Sequence, residues 1–213
     1  MRILGADLEP LQAYKLLTGV VVPRPIAWVT SRSPEGVLNL APFSTFTYVS
    51  TKPPMVGFNV GRRAGHRKDT ANNILANGEF VVHVVDETLL AAMHESSEEH
   101  PPEVSEAELL GLEWTASERI SVPRLVSPRV AMECRLHQAI PFGDTGAEFL
   151  VGEVLVFHVQ DRFIADGKID SAALNPVCRL AGPRYATLGP VKTLRSVAQT
   201  PQKSIKAREE ESR

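Results

Sequence analysis

The stretch IAWVTSRSPEGVLNLAPFSTFTYVS, residues 26–50, decides the fold. Runs rich in β-branched and aromatic residues, 26–33, 37–42 and 44–50, are cut by Ser33-Pro34-Glu35-Gly36 and read as successive strands. A four-residue link closes a hairpin but is too short for the crossover that parallel strands need. The reading is therefore antiparallel.

The same pattern extends outward. After the Pro53-Pro54 break, MVGFNVG at 55–61 is a further strand, and EFVVHVV at 79–85 another. Alternation over 130–140 and 149–159, on either side of the Gly143-Asp144-Thr145-Gly146 turn, adds two long strands with one buried face. Helices are few. Leu8, Leu11, Tyr14 and Leu17 fall at helical spacing within 7–18, with Gly19 as the expected stop. Residues 69–77 make a short helix closed by Asn77-Gly78, and 87–111 a mostly helical excursion. Many antiparallel strands with few helices give a mainly β fold, a closed or partly closed barrel.

With 213 residues and 43% hydrophobic content, the chain is long enough for one sizeable core, and residues 1–198 are expected to form a single domain. The tail from 199 to 213 has little to bury and is expected to be mobile. The 23 basic residues balance 25 acidic ones, which leaves no electrostatic footprint for nucleic acid or a membrane surface. No apolar run approaches a membrane span, and no signal peptide opens the chain. Cys134 and Cys178 stand on separate segments without CxxC spacing, so both are expected to be reduced and packed, in a cytoplasmic protein.

Motifs for nucleophilic, zinc-protease, Walker and Rossmann chemistry are absent. The acidic link around Glu95, Glu98, Glu99, His100 and Glu103 has no second histidine at ligand spacing and reads as a solvated loop; no metal is expected. HRKDTANNI, residues 66–74, has two readings. Asp69 is a good N-cap for the following helix. Alternatively, free helix-start N–H groups, the Thr70 hydroxyl and the Lys68 cation converge on one phosphate. Arg62, Arg63 and Arg67, ahead of Lys68, either meet a second phosphate or form a solvated basic loop.

Seven segments, in order, resemble the flavin reductase-like family of FMN-binding split barrels. They are PRPIAWVTS (23–31), NLAPFSTF (39–46), the run from Pro53 to Asn59, KDTANNI (68–74), GEFVVHVV (78–85), GEVLVFHV (152–159) and RLAGPRYATL (179–188). The resemblance implies a split β-barrel of Greek-key type, a homodimer holding one FMN per subunit. It implies that Trp28, Val29, Thr30 and Ser31 lie beside the flavin ring. Asn39, Ala41, Pro42, Ser44 and Phe46 would surround ring and ribityl chain. Lys68 and Thr70, with Asn59 or Arg62, would hold the phosphate. Arg179 and Tyr185 would approach a flavin, that of the partner subunit included.

The implied activity is an FMN-dependent oxidoreductase passing electrons from NAD(P)H to a small-molecule or protein acceptor. The cofactor carries the redox chemistry, so no catalytic acid or base is assigned. One departure bears on this. Many short flavin reductases of the superfamily carry Gly-Asp-His in the hairpin before the GEV strand, and here Thr145 follows Gly143-Asp144. An FMN-binding electron-transfer module without its own NAD(P)H site is therefore an alternative. A split-barrel oxidase acting on a phosphorylated vitamin is a more distant one.

Overall fold

The computed structural model describes residues 1–195; the expectation of a mobile tail over 199–213 lies outside the described residues. Its frame is one seven-stranded sheet. The strands are β1 (Ala27–Arg32), β2 (Leu38–Phe43), β3 (Phe46–Thr51), β4 (Pro54–Val60), β5 (Glu79–Val84), β6 (Val130–Phe142) and β7 (Ala147–Val159). They pair antiparallel throughout, in the order β2-β1-β5-β6-β7-β4-β3. The long strands β6 and β7 run together from Val130↔Val159 to Phe142↔Ala147, with register shifts after Glu133 and Leu136. Such irregularities bend and twist a ribbon. The first half of β6 pairs with β5, and the first half of β7 with β4, so the two wings of the sheet leave opposite ends of this ribbon.

Both faces of β1 are buried, which is why AWVTS reads as a continuous run rather than an alternation. Ala27 and Val29 join Phe43, Phe58, Ile74, Phe80, Val82 and Leu150 in an inner core. Trp28 faces the other way, into a second core with Leu40, Val81, Met93, Ala107 and Leu125. Phe58 and Phe80 meet edge-on, their centroids 5.6 Å apart. Gly152 makes room for this packing: a Cβ there would come within 2.3 Å of the Phe80 ring.

Helix α1 (Pro10–Val20) begins later than its spacing suggests, after a 3-10 turn at Gly5–Asp7, and runs through Gly19 to Val20. The Glu9 N–H donates to Gln12 Oε1 at 3.1 Å, which fixes its start. No residue of α1 is buried, and Leu11, Tyr14 and Leu17 are 63%, 64% and 60% exposed. Helix α2 (Asp69–Asn77) lies where the sequence places it, and Gly78 closes it at φ +75°. Its cap differs. Lys68 occupies the N-cap position with extended backbone, Asp69 is the first helical residue, and no side chain caps the helix.

The excursion after β5 holds α3 (Leu90–Glu95) and α4 (Glu106–Leu109), which cover the outer core. Two-residue ladders join Arg24–Pro25 to Cys178–Arg179 and those to Tyr185–Ala186, bringing the C-terminal segment beside the entry to β1. No helix of the described residues is long and apolar enough to cross a membrane.

Candidate functional site

The residues around α2 form a cleft because β1 and β2 turn short polar side chains toward the helix start. Inward alternation on β2 puts Asn39 on the same face as Ala41 and Phe43. The Asn39 amide donates to Thr70 Oγ1 at 2.9 Å and to Ser31 Oγ at 3.3 Å, and Asn73 donates to Ser31 Oγ at 3.2 Å. All four residues are buried, so this network fixes α2 against the two strands.

Above it, Asn39, Ala41, Pro42, Lys68, Asp69 and Thr70 line one open cleft. Lys68 forms no ion pair among the described residues, and its Nζ stands 5.9 Å from the centroid of the Phe43 ring. Hydrogen bonds within α2 begin with Ala71 and Asn72 N–H to Lys68 O, which leaves the amides of Asp69 and Thr70 without intrahelical partners. A free ammonium beside a helix start is suited to an anion.

The facing wall joins residues that the sequence reads as two solvated loops, one basic and one acidic. Arg63 from the hairpin after β4 and the segment Ser96–His100 after α3 line the same cleft, with Glu106 at its floor. Glu106 Oε2 accepts the Leu40 N–H at 2.9 Å, and burial raises its pKa, the Leu40 hydrogen bond opposing. Only the fold brings this acidic segment opposite Lys68. By sequence alone it is a charge-rich loop.

Several expected residues point elsewhere. Trp28 is fully buried, and its indole N–H donates to Ser96 Oγ at 2.9 Å. Thr30 Oγ1 donates to the Pro123 carbonyl at 2.8 Å, and Val29 sits in the inner core. Phe46 packs partly buried against that core, while Ser44 and Asn59 are half-buried outside the cleft lining. Arg62 gives Nε to Gly146 O at 2.6 Å and meets Glu148 at 3.3 Å. Arg179 and Tyr185 are together, the guanidinium 4.6 Å from the ring centroid and hydrogen-bonded to the phenol oxygen. His94 Nδ1 meets that oxygen at 2.8 Å. This cluster does not line the Lys68 cleft. Among the described residues no group of three His, Cys, Asp or Glu is placed to hold a metal ion.

Residues 19–169 match the flavin reductase like domain, most of the chain. The chain belongs to the flavin reductase-like family. An uncharacterized protein of Halalkalibacterium halodurans is 46% identical over 194 residues, 89% of this chain and 93% of that one. The crystal structure of nitrilotriacetate monooxygenase component B from Bacillus cereus is 43% identical and superposes with a TM-score of 0.89, covering 91% of this chain and 98% of that one. The 2-nitrobenzoate 2-nitroreductase of Pseudomonas fluorescens is 33% identical with a TM-score of 0.82, covering 94% and 97%. The seven-stranded sheet is thus the split barrel of the flavin reductase-like family, and the protein is an oxidoreductase of that class.

Proposed function

We propose that this flavin reductase-like protein binds FMN in the Lys68 cleft and passes electrons from NAD(P)H to a small-molecule or protein acceptor. The observation that carries the reading is the Lys68 ammonium at the start of α2, which meets no carboxylate among the described residues, in a cleft walled by Asn39, Ala41 and Pro42. One cation and two free amides suit one phosphate monoester. The donor set therefore fits the cofactor. When bound, FMN supplies the exchange of two electrons between a reduced nicotinamide nucleotide and the acceptor.

The chain's own residues do the rest. Lys68 and the Asp69 and Thr70 amides hold the phosphate. Ala41 and Pro42, half-buried, offer an apolar wall for a ring, and the Asn39–Thr70–Ser31 network keeps strand and helix in register beneath it. The single domain expected over 1–198 acts as one unit on this reading, since among the described residues the inner and outer cores share the same strands. A second copy covers α1, whose exposed Leu11, Tyr14 and Leu17 stripe lacks a partner among the described residues.

The test is the identity of the flavin released by heat from the purified protein. FMN supports the reading; a protein that takes up no flavin contradicts it. A second reading, an FMN electron-transfer module without its own NAD(P)H site, is favoured by the 143–146 turn, which presents Thr145 and is tied to Arg62 through Gly146. Steady-state oxidation of NADH or NADPH by the holoprotein separates the two.

A further inference from the structure

The hairpin after β4 carries three arginines, Arg62, Arg63 and Arg67, held in different ways, and Arg63 alone lines the cleft. Arg67 forks onto Glu148, with Nε to Oε2 at 2.9 Å and Nη2 to Oε1 at 2.8 Å, and Arg62 shares the same carboxylate. Glu148 is buried, and the Arg67 hydrogen bonds hold its carboxyl below the usual range. That clamp is closed. Arg63 alone turns into the cleft, where it pairs with Glu99 of the acidic segment. The Arg63 and Glu99 side chains are 37% and 68% exposed, so their ion pair is solvated and exchangeable.

Two cations, Arg63 and Lys68, thus line one cleft, and one of them is masked. We propose that Glu99 is a specificity-determining residue: by holding Arg63 it limits the cleft to a flavin with a single phosphate. Freeing Arg63 adds a second cationic position beside the first, as a flavin pyrophosphate such as FAD requires. The other carboxylates of the cleft, Asp69, Glu98 and Glu106, are the same with or without Glu99 and form a constant repulsive background. This inference rests on the placement of FMN proposed above.

The experiment titrates the flavin-free protein with riboflavin, FMN and FAD, following flavin fluorescence, for the wild type, Glu99→Gln, Arg63→Gln and the double variant. Glu99→Gln is expected to tighten FAD binding about tenfold, the scale of one charge-assisted contact, and FMN binding by no more than about threefold. Riboflavin affinity should not move. Adding Arg63→Gln should cancel the gain, and raising salt from about 50 mM to about 500 mM should shrink it. An unchanged FAD affinity in Glu99→Gln overturns the proposal, as does a gain that survives Arg63→Gln. Equal gains for riboflavin overturn it too, because they indicate steric opening of the loop and not charge. A wild-type chain that binds no FMN overturns the underlying placement, whereas FMN binding with an unmoved FAD affinity overturns this inference alone.

Discussion

Asn39 Nδ2 lies 2.9 Å from Thr70 Oγ1, a buried hydrogen bond that ties β2 to the first turn of α2 across 31 residues of chain. The bond sits directly beneath the candidate anion site, so the stability of the helix start and the geometry of the cleft are linked.

Asn39→Ala removes the donor to the buried Thr70 hydroxyl, while Ser31 keeps its bond from Asn73. Leaving a buried polar group unpaired costs about 1–3 kcal/mol. The urea midpoint is expected to fall by a corresponding amount with the slope unchanged. A midpoint equal to that of the parent would mean that the network contributes nothing to the fold.

His83 predicts a pH dependence of stability. It is fully buried, accepts the Leu125 N–H on Nε2 at 3.0 Å and faces the Trp28 carbonyl with Nδ1 at 2.9 Å, so the neutral Nδ1–H tautomer satisfies both. Burial lowers its pKa to about 4. Between about pH 6.5 and 4 the unfolded chain binds the proton and the folded one does not, so stability falls on acidification by about 3 kcal/mol over that window. Denaturation midpoints measured from pH 7 to 4 should show this loss, and His83→Gln should flatten it. An equal slope in the variant would assign the acid sensitivity to other groups.

The strands and α2 were legible in the sequence because their signals are local. The Ser33-Pro34-Glu35-Gly36 turn, the alternation in β6 and β7 and the closing Gly78 each act within a few residues. The cap of α2 was misplaced by one residue because Asp69 is a good cap by type, while Lys68 holds the cap position in the fold. The cleft was legible on one side only. Asn39, Ala41, Pro42, Lys68 and Thr70 are in it, but Trp28 and Thr30 share a strand with Ser31 and face the opposite core. Strand parity separates them, and both faces of β1 are buried, so hydrophobicity gave no cue to which face was which. Arg63 and Glu99 were visible only as parts of a basic and an acidic loop, and Glu106 had no local signal, because their opposition to Lys68 is wholly tertiary.

Replacing Leu11 and Leu17 by Glu places charge on the exposed stripe of α1, where neither residue is buried in the chain itself. Folding should change little. On the proposed packing of a second copy against α1, the sedimentation mass is expected to drop from dimer to monomer, with weaker flavin retention. A variant that stays dimeric would move the contact between copies away from α1.

The central claim is that Lys68 holds the phosphate of FMN. Its most direct test compares FMN and riboflavin binding in the wild type and in Lys68→Ala, since riboflavin has the same ring without the phosphate. Loss of one charge-assisted contact, about 1.5–3 kcal/mol, should weaken FMN by roughly one to two powers of ten. Riboflavin should bind both proteins alike, and the denaturation midpoint should stay in place because Lys68 is exposed and makes no ion pair among the described residues. Equal losses for FMN and riboflavin, or no loss for either, would contradict the account.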